Sequence, residues 1–134
     1  MESDQFLTVV ADGPGFVRIT VSGPSTGARL HGLLQRIVVE TKSRGTSRVL
    51  VDGREVPAPI PTADKYDIGV ATAQALGGRI KLAVVASPAN VDQFFATVAR
   101  SGGTMVLEFT DETAALAWLM GAEAATPRSP ESPS

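Results

Sequence analysis

Arg48-Val49-Leu50-Val51-Asp52 is the stretch on which the fold turns. Its centre is apolar on both faces, as expected of a short strand inside a parallel sheet covered on both sides. Beyond it, Pro57-Ala58-Pro59-Ile60-Pro61 lacks three amide donors and forces extended backbone before each proline, so it reads as a loop. The loop delivers the chain to Thr62, which reads as the cap of a helix with Asp64 in its first turn. Tyr66, Val70, Ala73 and Leu76 share a face of that helix before Gly77-Gly78 ends it. Its Ala and Gly content suits close approach to a sheet.

Upstream, Leu30, Leu33, Leu34, Ile37, Val38 and Thr41 recur at helical spacing, with Lys42 and Arg44 near the end and Gly45 beyond. Before this helix, Gln5 to Ala11 and Phe16 to Val21 flank Asp12-Gly13-Pro14-Gly15, and the Asp-Gly step is expected to supply the positive φ of a hairpin turn. Downstream, Ile80 to Ala86 reads as a buried strand. Asn90 followed by Gln93 reads as a capping box for a helix striped by Val91, Phe94, Phe95, Val98 and Ala99 and ended by Gly102-Gly103. Thr104 to Phe109 is the last strand. Thr110 or Asp111 then caps a final helix that presents Leu116, Leu119 and Met120, with Trp118 on its flank and Gly121 closing it. The order ββαβαβαβα predicts an α/β fold: a five-stranded, mainly parallel sheet with an N-terminal antiparallel hairpin and right-handed crossovers. Residues 1–123 form one domain in this reading. Residues 124–134, rich in Pro and Ser with nothing apolar after Ala125 to anchor them, are expected to be a disordered tail.

The predicted core is Leu33, Ile37, Val49, Val51, Leu82, Val84, Phe94, Val98, Leu107, Leu116 and Leu119. Alternation divides the strands into faces: Met105, Leu107 and Phe109 oppose Thr104, Val106 and Glu108; Ile80, Leu82 and Val84 oppose Lys81, Ala83 and Val85; Val17, Ile19 and Val21 oppose Phe16, Arg18 and Thr20. One face is then apolar and the other mixed. Phe16, Leu50, Val85 and Val106 carry too much apolar surface on the mixed face to stand open, so partial cover by the first helix or by a second subunit is expected, and with it a homodimer.

The chain has 134 residues, 43% hydrophobic and 19% charged, with 14 acidic side chains against 12 basic ones and no Cys. That composition fills a core and excludes general disorder. The slight acidity argues against nucleic acid, whose binding requires a basic patch. Without Cys there is no disulfide framework and no thiolate chemistry. The acidic start Met1-Glu2-Ser3-Asp4-Gln5 is unlike a signal peptide, and the apolar runs are far shorter than a membrane span, so a cytoplasmic protein is expected.

Chemical motifs are sparse. His31 stands alone near the start of the first helix, with no nucleophile elbow to serve. Gly13-Pro14-Gly15 and Gly23-Pro24-Ser25-Thr26-Gly27 lack the spacing of phosphate-binding loops and read as turns. Arg36, Lys42, Arg44 and Arg48 cluster at one helix end, where they offset its dipole. The scattered Asp and Glu residues form no metal motif, and no cofactor is implied. Asp52 and Arg54, two apart at the end of the central strand, are placed to form an ion pair that pins the Pro-rich loop.

Three strings carry a resemblance: Arg48-Val49-Leu50-Val51-Asp52-Gly53-Arg54-Glu55-Val56, Arg79-Ile80-Lys81-Leu82-Ala83-Val84-Val85, and Phe109-Thr110-Asp111-Glu112-Thr113-Ala114-Ala115-Leu116-Ala117-Trp118-Leu119. They resemble the SpoIIAA-like, or STAS-like, bacterial domains, which share a fold with anti-sigma-factor antagonists, and the likeness runs from Phe6 to Leu119. The resemblance implies consecutive strands lying side by side with crossovers of one hand. Phosphoswitching members carry Asp-Ser-x-Gly at the start of the helix after the central strand. Here that helix begins Pro61-Thr62-Ala63-Asp64-Lys65-Tyr66, so the serine and glycine are missing. Thr62 is the nearest hydroxyl and the one candidate phosphoacceptor, although a threonine there reads first as a cap. The branch with Val-Asp-x-Arg and Ala-x-x-Trp-Leu includes proteins compared to lipid-carrier folds.

Two functions follow as expectations. The first is a non-catalytic regulatory or protein-interaction module. The alternative is a binder or carrier of a lipid or another small apolar or anionic ligand, and an apolar cavity would distinguish it. No general base, nucleophile and oxyanion set can be assembled, so an enzyme is not expected. Any partner or ligand should meet the carboxyl edge of the sheet at Ser25, Thr26, Asp52, Arg54, Thr62, Asp64, Ser87 and Thr110. Helix N-termini near Ser25, Thr62, Asn90 and Thr110 should turn their amides there and favour an anion.

Overall fold

A computed structural model describes residues 5–121. The boundary expected at 123 and the tail expected from 124 lie outside them. Strands β1 (Leu7–Gly13) and β2 (Phe16–Ser22) pair antiparallel from Leu7 opposite Ser22 to Gly13 opposite Phe16. Pro14-Gly15 alone makes the turn, and the positive φ falls at Gly15, not at the expected Asp12-Gly13 step. Pro at the first central position and a left-handed Gly at the second suit a type II turn. Gly13 leaves room for the Phe16 ring, which lies 2.3 Å from where a Cβ would stand and would have to shift to admit one.

From β2 the chain runs through α1 (Gly27–Arg44), β3 (Arg48–Glu55), α2 (Thr62–Leu76), β4 (Lys81–Ala86), α3 (Phe94–Ser101), β5 (Met105–Phe109) and α4 (Glu112–Met120). The strands lie in the order β1-β2-β3-β4-β5, and the pairs from β2 onward are parallel, as the sequence predicts. Crossovers of one hand between successive neighbours must keep α1, α2 and α3 on one face. Helix α4 follows the last strand and has no further strand to reach, which leaves it free to cover the other face.

Beneath α1 to α3 lies a core of Val17, Ile19, Val21, Val49, Val51, Leu82 and Val106, joined by Leu34 and Ile37 of α1 and Leu76 of α2. Beneath α4, Phe16, Leu50, Ala83 and Val85 meet Ala115 and Leu119. The face expected to need the first helix or a second subunit is therefore closed by α4, and that argument for a homodimer falls. The error lay in register between strands. Val106 sits opposite Leu82, and Glu108 opposite Val84, so both belong to the α1–α3 face, while Leu107 and Phe109 turn towards α4.

Of the predicted core, Ile37, Val49, Val51, Leu82 and Leu119 are buried, whereas Leu33, Val84, Phe94, Val98, Leu107 and Leu116 are only half-buried. The buried line of α2 is Lys65, Gly69, Thr72 and Leu76; of the expected face, Leu76 is buried, Val70 and Ala73 are half-buried and Tyr66 turns outward. Gly69 serves α3 and not the sheet: a Cβ there would come within 2.8 Å of Val98. Helix α1 ends as predicted on a left-handed Gly45 whose N–H bonds back to the Lys42 and Thr41 carbonyls. The capping expected of Thr62 is not made. Pro61 is the N-cap residue of α2, without a side-chain bond, and Thr62 is already helical. Asn90 closes a short 3-10 turn, Pro88–Asn90, and α3 begins only at Phe94. No helix among the described residues is long and apolar enough to cross a membrane.

Leu82 is 2% exposed at the centre of the sheet. Leu82→Ala should lower the unfolding free energy by about 2–5 kcal/mol in a urea titration, through lost transfer energy and a cavity. A loss below about 1 kcal/mol would place this strand outside the core.

Candidate functional site

At the carboxyl ends of the parallel strands the candidate residues fall into two groups, one on each side of the sheet. On the α4 side, Asp52 and Arg54 follow Leu50 on one face of β3. The Arg54 guanidinium donates from Nε to Asp52 Oδ1 at 3.0 Å and from Nη2 to Oδ2 at 2.7 Å, a bidentate pair. The expected ion pair exists, but it does not pin the Pro-rich loop. Arg54 Nη2 also donates to Glu112 Oε1 at 3.1 Å, and Arg18 of β2 bonds the other Glu112 oxygen. Two cations and two anions thus tie β2, β3 and the first turn of α4 together. A register shift lies here as well: between the pairs Thr20–Asp52 and Ser22–Glu55, β3 holds one residue more than β2.

The electrostatics follow from these bonds. The Arg54 guanidinium holds the Asp52 carboxyl below the usual carboxylate range, and Arg18 does the same for Glu112. Arg54 is in turn raised by Asp52 and stays protonated. Arg18 and Glu112 were not singled out in the sequence as site residues. The signal available was a charged residue in the second strand, facing the same side as Asp52.

On the α1–α3 side, Asn90 takes the place of a capping residue by clipping the Pro-rich loop. Its Oδ1 accepts from the Ile60 N–H at 3.0 Å, and its Nδ2 donates to the Val56 carbonyl at 3.3 Å. The buried Lys65 ammonium donates to the Asn90 carbonyl at 3.1 Å and to Asp92 Oδ2 at 3.0 Å. Asp92 is held low by the Phe94 N–H first and Lys65 second. Glu108, buried in β5, accepts through Oε1 from the Asp92 and Gln93 amides at 3.3 and 3.2 Å, and through Oε2 from Ala96 at 2.9 Å. It is the real cap of α3. Gln93, at φ 62°, lays its side-chain amide along β5, donating to the Glu108 carbonyl at 2.7 Å and accepting from the Glu108 N–H at 3.2 Å. Arg100 Nη1 donates to the Val106 carbonyl at 2.8 Å on the same edge.

Side-chain caps take up amides at three of the four helix N-termini where an anion is expected, and α2 is the exception, with no side-chain bond at its N-cap. Thr26 Oγ1 accepts from the Arg29 N–H at 3.1 Å, Asp111 from Ala114 at 2.8 Å, and the first amides of α3 are taken by Glu108 and Asp92. Asp64 lies beside Gly27 at the start of α1, and Ser25 is half-buried nearby. Ser87 is half-buried, its carbonyl accepting from the Asn90 N–H, while Thr62 and Thr110 are exposed. His31 is exposed, with Nδ1 2.9 Å from the Gly27 carbonyl. Arg36 and Arg44 pair with Glu40, and Arg44 also with Asp12. Among the described residues no His, Asp and Glu gather as a metal site.

Between α1, α2 and the sheet lies an apolar cavity of about 120 Å³, lined in part by Leu34, Ile37, Val51, Ile68, Leu82 and Phe95. It opens beside the carboxyl edge, where Leu30 and Ile60 form part of its wall.

Five strands in sequence order, three helices on one face and a last helix on the other make an arrangement that can be compared directly. The crystal structure of an anti-sigma factor antagonist from Mycobacterium paratuberculosis matches it with a TM-score of 0.63 and 21% sequence identity, covering 88% of this chain and 97% of that one. The fold is STAS-like. No family model and no curated protein sequence matches the chain. In this STAS-like frame Thr62 opens the helix that follows the central strand β3, with its hydroxyl free of capping duty.

Because Glu112 titrates below its ordinary value of about 4.3 when folded, its contribution is present in full above about pH 5 and is lost as pH falls through the lowered folded value. Glu112→Gln should therefore cost about 0.5–1 kcal/mol at pH 7. The difference from the parent should shrink as pH falls through that lowered value, measured by urea titrations across the range. A difference that persists unchanged at the acid end would remove the ion pair as its cause.

Proposed function

We propose that the chain is a non-catalytic regulatory module of the bacterial cytoplasm that acts by binding a protein partner, an anti-sigma factor. The observation that supports this reading is the likeness in fold to an anti-sigma factor antagonist over nearly the whole of both chains. The binding surface is the carboxyl edge, made by Ser25, Thr26, Asp52, Arg54, Thr62, Asp64, Ser87 and Thr110. The Arg18–Asp52–Arg54–Glu112 network supports that assignment, because it presents an ordered, half-exposed guanidinium at Arg54, held between Asp52 and Glu112. Fixed charges of this kind select a partner and its orientation more than they add affinity. Thr62 is the candidate phosphoacceptor of the edge, exposed and free of a capping bond. A phosphate there would add charge at the start of α2, where the helix dipole favours it.

Titration calorimetry against the purified anti-sigma factors of the same bacterium should find one that binds. Thr62→Arg should weaken that complex about tenfold or more, roughly 1.4 kcal/mol. Lys42→Glu, exposed at the far end of α1, should leave it unchanged. Failure of every anti-sigma factor to bind would overturn the reading, and equal effects of the two variants would move the surface away from the carboxyl edge.

A further inference from the structure

We infer that the cavity between α1 and α2 is a binding site for a compact, uncharged, apolar molecule of the size of a single aromatic ring. Protein interiors are packed as closely as organic crystals, and voids larger than a water molecule are few. A cavity of about 120 Å³ in the main core departs from that rule. It is comparable to the roughly 150 Å³ apolar cavity that stays dry and takes up benzene or xenon when carved into another protein. The departure here is native. Its walls are the side chains of Leu34, Ile37, Val51, Ile68, Leu82 and Phe95, and Leu30 and Leu33 line it while remaining only half-buried.

The polar groups in the wall decide the class of ligand, because each is already hydrogen-bonded within the protein and only one of the three Lys65 N–H donors is left over. The Lys65 ammonium is bound by the Asn90 carbonyl and Asp92. The Asn90 side chain holds Ile60 and Val56, and the Glu108 carboxylate holds three amides of the Asp92–Ala96 segment. The Thr72 hydroxyl donates to the Ile68 carbonyl at 2.6 Å. A water needs two to four polar partners to stay, and this wall offers at most one free donor, so water is held weakly there. A carboxylate or phosphate entering it would lose its hydration and gain at most the one remaining Lys65 donor, on an ammonium that Asp92 already neutralises and beside the Glu108 carboxyl group, which is costly. An apolar molecule meets no such penalty and restores the dispersion contacts that the lining side chains lack. The volume suits about six heavy atoms, as in benzene, and falls short of a lipid acyl chain. The site sits beneath the carboxyl edge but does not depend on the partner reading.

The test is a titration of the methyl-labelled protein with benzene, followed by ¹H–¹³C NMR. Saturable shifts are expected at Leu34, Ile37, Ile68 and Val84, with a Kd on the order of 0.1–1 mM, ordinary for so small a ligand. Ala86 and Val84 line the cavity. Ala86→Leu should weaken benzene binding at least about tenfold. Val84→Ile, a milder filling that keeps the β-branched strand residue, should weaken it in the same direction. Sodium hexanoate should leave these methyls unmoved. Absence of benzene shifts at these residues, unchanged affinity in the folded filling variants, or hexanoate binding as tight as benzene would each overturn the inference.

Discussion

A single buried carboxylate organises the region on which the rest of this structure depends. Glu108 stands in an otherwise apolar strand and is buried on the α1–α3 face. Such a group is tolerated only with hydrogen bonds to its charge, and the amides ahead of α3 supply them. That requirement delays α3 to Phe94 and holds Gln93 in the left-handed region, where its side chain reaches β5. It also sets Asp92 where Lys65 can reach it, so that α2 is tied to the same segment. Asn90, one turn earlier, then holds the Pro-rich loop. The loop, α2, α3 and the last strand form one connected assembly because one acid had to be satisfied.

The strands are legible in the sequence because each is a short, mainly apolar run bounded by turn residues, and Gly45 and the Pro-rich loop mark where the segments on either side of β3 begin and end. What was not legible is register. Nothing inside Met105-Val106-Leu107-Glu108-Phe109 says which of its faces continues the face of Leu82, and a shift of one position moves every side chain across the sheet. That slip put Val106 and Glu108 on the wrong side and hid both the cap of α3 and the role of α4. The caps failed for a related reason. Thr62 and Asn90 are good local candidates, but tertiary partners compete: Asn90 finds the backbone of Val56 and Ile60, and Pro61 takes the cap position of α2. Of the candidate site, the Asp52–Arg54 pair could be read from spacing along one strand, while its partners Arg18 and Glu112 come from distant parts of the chain.

Helix α4 shows how apolar and charged contacts divide the work. Ala115 and Leu119 are completely buried against Leu50, Ala83 and Val85, and that burial supplies the stability. Half-exposed ion pairs add little energy but fix direction. At one end Glu112 is held by Arg18 and Arg54. At the other, the Lys81 ammonium lies 4.5 Å over the Trp118 ring and donates to the Trp118 carbonyl at 2.7 Å. A greasy face would allow the helix to slide or rotate on the sheet, and contacts at both ends fix its position.

The Gln93 amide and the Arg100 guanidinium do more than complete local bonding, because they occupy backbone groups that β5 turns away from β4. An open strand is a template for further strands, and side chains seated on that template act as chain terminators. Strand β1 has no comparable guard in its sequence: between Leu7 and Gly13 there is neither Lys nor Pro, and Leu7 and Val9 are 53% and 63% exposed. The sheet is thus polar in its capacity to grow. Two copies joined edge to edge through β1 would present only β5 edges to the outside, with the Val106 carbonyl and both Glu108 backbone groups already bonded, so further strand addition would be opposed there.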